Sequence, residues 1–221
     1  MNDTNTIEIL KSLQELYLSK DYSGAAKLLI KNKLKLDPGL FHYNLGTVHS
    51  KMGNLAAGRY HLEKSLKNNF VNSKVLNNLN FVEQSLSVQD LSTSKNFYDR
   101  TIDSSLKFSG TSYLAVTLIF LVAVTICFKK KILVNRWFIG IFLALAITPI
   151  SYHQFYLKNI KHAILLSDGE VREGPSGVFT TKMSIQAGSK VIVGEFEPGW
   201  VFIKYPLELS GWIKRTSLGL Y

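Results

Sequence analysis

Histidine and cysteine are the residues of this 221-residue chain that could support catalysis or metal binding. The one cysteine, Cys127, lies in a long uncharged stretch, which excludes an intramolecular disulfide and a cysteine-rich metal site. His42, His49 and His61 could be considered as metal ligands, but no cysteine lies nearby, and packing between helices is the simpler interpretation. The sequence shows no paired acid in a recognisable motif beside the remaining histidines and no glycine-rich phosphate loop. We therefore expect no catalytic activity, no metal and no cofactor.

The net charge of +10 is spread along the chain. Residues 1–107 carry 14 basic and 10 acidic groups, and residues 153–221 carry eight and six. The one dense basic cluster, in the loop 129–136, lies between two uncharged stretches, where it is typical of a membrane topology signal. Nucleic-acid binding would require a dense basic face with stacking aromatic residues. We expect no nucleic-acid partner.

Two uncharged stretches, residues 108–128 and 137–157, flank this loop. Each contains 21 residues without Asp, Glu, Lys or Arg, enough for a helix of roughly 30 Å, the hydrocarbon thickness of a bilayer. Neither stretch has the polar face of a soluble helix. The alternative, a pair of buried core helices, would need a large soluble domain around them. We predict two transmembrane helices that form a hairpin in the lipid bilayer.

The orientation of this hairpin follows from its charges. The positive-inside rule places the loop in the cytoplasm, so both termini of this multi-pass protein would be periplasmic, at a bacterial inner membrane. Basic residues also flank the other ends of the spans, which weakens the bias. The polar segment Met1–Thr6 does not resemble the start of a signal peptide. Whichever way the hairpin points, the domains before and after it share one side.

Residues 91–107 form a linker that leads into the first span. Ser92–Ser94 is a possible helix start, and the apolar residues that follow give an amphipathic helix. This helix either lies on the membrane surface or continues as a stalk.

In the second span, small residues recur every four positions, which is typical of a seam between membrane helices. The seam consists of Gly140, Ala144 and Thr148. It would pack against the first span or a partner's helix; chance spacing is the alternative. Pro149 should bend this span near its end.

Residues 5–90 have the apolar periodicity of helices about 12 residues long. Turn residues separate them at Lys20-Asp21, Asp37–Gly39, Gly53-Asn54 and Asn68-Asn69. Equivalent breaks recur after about 33 residues, which indicates a helical repeat. A final helix near residues 73–88 would cap the array.

The residues of this region resemble the tetratricopeptide repeat over positions 5–70. The resemblance is carried by Tyr43, Leu45-Gly46, His49, Gly53–Leu55, Gly58, Leu62 and Ser65. Small Gly46 and Gly58 would let two helices approach, with Leu62 filling the space beside them. The resemblance implies a concave groove that binds an extended peptide of a protein partner. It assigns Tyr43, Asn44, Thr47, Asn77, Asn78 and Phe81 to that groove. The alternative is a helical docking platform without a defined peptide ligand.

Residues 163–221 change to short β-rich runs separated by turn signals, which predicts a small barrel or sandwich. The four runs are Ala163–Leu166, Lys190–Phe196, Trp200–Tyr205 and Gly211–Ile213. Residues 167–218 resemble the bacterial SH3-like domain, through Val171–Ser176, Ala187–Val191, Gly199–Val201 and Gly211–Ile213. That family commonly binds cell-wall peptides or protein segments, so the resemblance implies a binding surface at Trp200, Tyr205 and Trp212. The alternative is that both tryptophans belong to the core.

The order of these parts is a tetratricopeptide repeat domain, a two-helix transmembrane hairpin and an all-β SH3-like barrel. It resembles the BatE-like members of the Bat (Bacteroides aerotolerance) proteins. The resemblance implies a non-catalytic membrane scaffold of an envelope complex linked to aerotolerance or stress. Its partners would be Bat-type proteins with von Willebrand factor A domains, and peptidoglycan would be a further ligand. The alternatives are a cell-wall sensor and an anchored accessory subunit of a peptidoglycan hydrolase.

Overall fold

The structure is a computed structural model that describes residues 3–131 and 135–221; residues 132–134 of the predicted basic loop lie outside the described residues. The chain divides into two compact units. The first joins the described residues up to Ser94 with Lys161–Tyr221, and the second is Lys95–Ile160. The helical domain at one end of the chain and the β domain at the other therefore belong to a single unit, a relationship that the sequence did not indicate.

Five helices form the N-terminal helical domain, and the start of each of the last four is set by a polar residue or proline in the sequence. They are α1 (Asp3–Leu18), α2 (Tyr22–Lys31), α3 (Pro38–Lys51), α4 (Leu55–Lys67) and α5 (Ser73–Leu86). Asp21, Asp37, Asn54 and Asn72 each accept a hydrogen bond from the backbone N–H three residues later. Such caps satisfy amide groups that have no partner inside the helix. The predicted breaks at Asp21, Asp37 and Asn54 are thus confirmed.

Helices α3 and α4 pack closely because two glycines face each other across them. A Cβ atom on Gly46 would lie 2.9 Å from Leu62 Cγ and 3.1 Å from the carbonyl oxygen of Gly58. A Cβ atom on Gly58 would lie 2.4 Å from the hydroxyl of Ser50. Leu62 is fully buried beside this contact. The structure confirms the predicted packing role of these three residues.

The β domain is a seven-stranded antiparallel sheet in the order β3-β2-β6-β5-β4-β1-β7. Its strands are β1 (Lys161–Leu165), β2 (Gly169–Arg172), β3 (Thr181–Ile185), β4 (Lys190–Glu197), β5 (Trp200–Tyr205), β6 (Gly211–Lys214) and β7 (Leu218–Leu220). Every strand contributes to one apolar core, from Ile185 on β3 at one end of the sheet to Leu218 on β7 at the other. A sheet whose two end strands share a core must curl around it.

The second unit contains helices α6 (Phe97–Leu106), α7 (Gly110–Lys129) and α8 (Arg136–Phe155). The amphipathic helix α6 begins at Phe97 and not at Ser92–Ser94 as predicted. Asp90 accepts hydrogen bonds from the backbone and hydroxyl of Ser92, and these bonds hold Ser92 in a turn. Asn96 caps the helix through its side chain.

Two stretches, Gly110–Lys129 and Trp137–Asn159, are long and apolar enough to cross a membrane, with mean hydropathies of 2.2 and 1.4. Only 11% and 6% of their most apolar windows are buried inside the protein. Helices of a soluble core would be mostly buried, so these large exposed apolar surfaces do not fit the core-helix alternative.

The small-residue seam predicted in the second span does not form the contact with α7. Gly140, Ala144 and Thr148 are all exposed, whereas Ala146, on another face of α8, is 2% exposed. Thr148 has a local role: its hydroxyl donates to the carbonyl of Leu145, which Pro149 leaves without its helical donor. The backbone N–H of Ile150 donates to the Thr117 hydroxyl across the helix pair, at 3.2 Å.

Candidate functional site

A groove of about 840 Å³ runs across helices α1, α3 and α5 of the helical domain. All six residues that the tetratricopeptide resemblance assigns to a peptide groove line this one cavity. They are Tyr43, Asn44 and Thr47 on α3, and Asn77, Asn78 and Phe81 on α5. Helix α1 contributes apolar and aromatic side chains, among them Leu10 and Tyr17. The structure therefore brings the candidate residues together, on a surface large enough for a peptide.

Hydrogen bonds within the groove hold its amide side chains in place. Asn78 donates to the hydroxyl of Thr47 at 3.0 Å, and that hydroxyl donates to the carbonyl of Tyr43. Asn44 donates to the carbonyl of Leu40 at 2.9 Å. An amide side chain has two N–H groups and an oxygen, so Asn44 and Asn78 can each bind a ligand while they keep these bonds. A peptide backbone offers the complementary donor and acceptor.

The groove also contains two lysines that the sequence reading did not single out. Lys51, at the end of α3, and Lys74, at the start of α5, are both exposed and are the charged side chains that line it among the described residues. Phe81 presents an apolar surface beside them, with 61% of the side chain exposed. The groove thus combines positive charge, amide groups and aromatic surface.

The helical domain contacts the β domain through α4, the end of α5 at Leu86 and the chain that follows it, whereas the residues that line the groove all belong to α1, α3 and α5. At the centre is Arg59, which is 2% exposed. Its guanidinium donates to the carbonyl of Gly188 at 2.8 Å, to Glu83 at 2.8 Å and to Asp90 at 2.7 Å. The first of these bonds joins residues 129 positions apart in the chain. Buried charges require such compensation, because an unpaired one is strongly destabilising.

A second, partly buried ion pair lies beside the first. The ammonium of Lys190, at the start of β4, is 2.6 Å from the carboxylate of Glu63 on α4. Tyr60 packs closely on Gly219, where a Cβ atom would lie 2.6 Å from its ring, and its hydroxyl donates to the carbonyl of Leu220. These contacts place one face of α4 against strands β4 and β7.

The electrostatics of this interface follow from its hydrogen bonds. Burial alone would raise the pKa of Asp90, but the hydrogen bonds from Ser92 and from Arg59 outweigh it and lower that pKa below its usual value. Burial opposes the charged form of Arg59 as well, and Asp90 more than compensates, so the pKa of Arg59 is raised. Both groups are therefore charged at neutral pH.

The three histidines considered as metal ligands form a stack between α3 and α4. The rings of His42 and His49 lie 5.1 Å and 5.5 Å from that of His61, and the Nδ1 atoms of His42 and His61 are 2.9 Å apart. Burial, together with nearby positive charge, lowers the pKa of His42 to about 4 and that of His61 to about 3. Among the described residues no cluster of histidine, cysteine or carboxylate side chains has the arrangement of a metal site.

The aromatic residues predicted for the β-domain surface lie outside its core. Along β5 and β6 the core positions are Val201, Ile203 and Ile213, all fully buried. Trp200 and Trp212 are half-buried on the outer face of the sheet, which does not fit the alternative that they are core residues. The Trp212 ring contacts that of Phe202 edge to face at 5.4 Å, from the paired position on the neighbouring strand.

Tyr205, at the end of β5, is also half-buried, and the ammonium of Lys204 lies 5.7 Å from its ring centroid.

Sequence reasoning missed Phe202, which the alternation along β5 could have identified as a neighbour of Trp200. It also missed Arg59 and its partners, since no local pattern marks a contact between distant segments. The chain matches no protein-family model, no curated protein and no solved structure.

Proposed function

We propose that this chain is a non-catalytic scaffold of a bacterial envelope complex, anchored in the inner membrane by α7 and α8. The groove of the helical domain holds an extended segment of a protein partner. The β domain contacts a cell-wall peptide or protein through Trp200 and Trp212 on its outer face and through Tyr205 at the end of β5. The observation that carries the proposal is the convergence of all six expected residues on one open groove.

The charges of the groove indicate the kind of segment it would hold. Lys51 and Lys74 favour acidic side chains, and the amides of Asn44 and Asn78 suit the peptide backbone. The resemblance of the domain order to BatE-like proteins is the reason for proposing an aerotolerance or stress complex with Bat-type partners. The half-buried Trp200 and Trp212 offer a large contact area at low entropic cost, which supports a ligand on the β domain.

A second candidate function, a cell-wall sensor, is favoured by the buried contact between the domains. Because Arg59 and Glu63 join α4 to the β domain, a ligand on the sheet would bias the helices that line the groove. A scaffold requires only that ligands bind to the groove and to the sheet. A sensor requires, in addition, that a ligand on the sheet change the affinity of the groove for its own ligand.

The test is affinity capture of partners by the full-length tagged chain, solubilised in mild detergent from its host. We expect the charge-reversal pair Lys51→Glu and Lys74→Glu to lose proteins that the wild type retains. The matched control reverses two exposed lysines of α2, Lys27→Glu and Lys31→Glu, which lie outside the groove. An identical set of captured proteins in all three samples would contradict a role for the groove.

A further inference from the structure

The second unit contains a cavity of about 750 Å³ between the amphipathic helix α6 and the first turns of α7, closed on one side by Pro149 of α8. The hydroxyl of Tyr113 on α7 donates to the carbonyl of Ser105 on α6 at 2.9 Å, which ties the two helices together. The cavity lies entirely within one compact unit.

The lining of this cavity is divided by polarity. Arg100 and the hydroxyl groups of Ser104 and Ser112 supply hydrogen-bond donors, and Phe108 and Val116 supply apolar surface. Val116 belongs to a stretch long and apolar enough to cross a membrane, and α7 begins six residues earlier. A cavity at the end of such a helix lies at the depth where lipid headgroups meet acyl chains.

The charge available in the cavity is positive. Arg100 is the charged residue among those that line it, and its side chain is exposed. The two acidic residues of α6 do not line the cavity, and one of them, Asp103, is paired with Lys107 at 2.6 Å. A guanidinium beside hydroxyl groups is a phosphate-binding combination, because it can form charge-assisted, bidentate hydrogen bonds.

We propose that this cavity binds one anionic phospholipid. The lipid phosphate would contact Arg100 and the neighbouring serine hydroxyls, and an acyl chain would lie against Phe108 and Val116. The inference rests on the membrane anchoring proposed above. It adds a specific lipid site to an anchor that was expected only to span the bilayer.

The test uses native mass spectrometry of the full-length chain in detergent, with dioleoyl phosphatidylglycerol and dioleoyl phosphatidylcholine added at equal concentration. We expect the wild type to retain phosphatidylglycerol about tenfold better, because both lipids offer a phosphate to Arg100 but only phosphatidylcholine also carries a cation, which the guanidinium repels. Arg100→Gln should abolish the preference, and Arg100→Lys should preserve part of it. Ser104→Phe should lower retention of both lipids by filling the cavity.

The control is Lys129→Gln, which removes one positive charge at the opposite end of α7 and should leave the preference unchanged. Equal loss of the phosphatidylglycerol preference in Arg100→Gln and Lys129→Gln would contradict a specific site and indicate general electrostatic attraction to the protein surface. Displacement of the lipid by excess inorganic phosphate would also overturn it, in favour of a free-anion site. Failure of the anchoring proposal is distinguishable, because the wild-type chain would then be absent from the membrane fraction before any lipid is added.

Discussion

The guanidinium of Arg59, on helix α4, donates a 2.8 Å hydrogen bond to the carbonyl oxygen of Gly188 in the β domain. This bond, with the ion pairs to Glu83 and Asp90, makes one unit of two segments that are separated in sequence by both apolar helices. A buried charge that loses its partners strongly lowers the stability of the fold, so substitutions at this interface test it directly.

Replacing Arg59 should therefore destabilise the first unit strongly. Arg59→Met keeps much of the side-chain volume but removes the charged donor to Glu83, Asp90 and the Gly188 carbonyl, so we expect a loss of about 3–5 kcal/mol. Thermal unfolding in detergent, followed by tryptophan fluorescence, measures the change. Arg215→Met, at an exposed arginine, should differ from the wild type by less than about 0.5 kcal/mol. Similar effects of the two substitutions would contradict the buried interface.

The ion pair between Glu63 and Lys190 should appear as a coupling energy. Glu63→Gln and Lys190→Met each leave one charge at the interface without its partner, whereas the double variant leaves neither. We expect the double variant to be more stable, by about 1–3 kcal/mol, than the sum of the single effects predicts. Denaturation midpoints of the four proteins give this value. Strict additivity would mean that the two residues do not interact.

The histidine stack predicts loss of stability in mild acid. The pKa of His42 is lowered to about 4 and that of His61 to about 3, below the ordinary value of 6.5, so the unfolded chain binds these protons first. The contribution of these two histidines to the unfolding free energy should be constant above about pH 7 and should fall as the pH decreases from 6.5 towards 4. Denaturation at several pH values measures this slope. His61→Phe should reduce it; an unchanged slope in that variant would contradict the assignment to the stack.

Gly46→Ala should destabilise the helical domain, although alanine is the better helix former. The added methyl group would meet Leu62 Cγ at 2.9 Å and backbone atoms of α4 at 3.0 and 3.1 Å, so the helix pair must separate. We expect a loss of about 1–3 kcal/mol in thermal unfolding. Gly140→Ala is the matched control, because no described residue would lie within 4 Å of a Cβ atom there. Equal stability of the two variants would contradict the close approach of α3 and α4.

The contact between Thr117 and Ile150 should stabilise the pair of apolar helices. Thr117→Val keeps the side-chain shape but removes the acceptor for the Ile150 N–H next to Pro149, and we expect a loss of about 1 kcal/mol. Thr125→Val is the control, since that hydroxyl donates within its own helix. Melting of the full chain in detergent compares them. A larger effect at Thr125 would show that the helix pair does not depend on the contact at Pro149.

Local patterns predicted much of the secondary structure. Helix breaks at Asp21, Asp37 and Asn54 were predictable because capping is a short-range interaction. Four β-rich runs were recognised, but strands β2, β3 and β7 were not. These strands are only three to five residues long, and Gly169–Arg172 and Thr181–Ile185 carry several charged or polar residues whose role depends on pairing with neighbours.

The candidate site likewise has a part that local sequence patterns predict and a part that they do not. The groove residues could be predicted, since a resemblance at fixed spacing assigns positions on α3 and α5. The interface could not, because Arg59 and Gly188 meet only after the whole chain has folded. Gly140, Ala144 and Thr148 failed as a seam with α7 for a related reason: four-residue spacing defines a face of the helix but not which face turns towards its neighbour.

The central claim is that both ends of the chain form one unit on one side of a membrane. Single cysteines introduced by Ser19→Cys, Lys204→Cys or Lys130→Cys, in a Cys127→Ser background, can be tested with a membrane-impermeant maleimide on spheroplasts. We predict that positions 19 and 204 are both labelled and that position 130 is protected until the membrane is permeabilised. Labelling of position 19 or 204 alone would place the two domains on opposite sides and contradict the account.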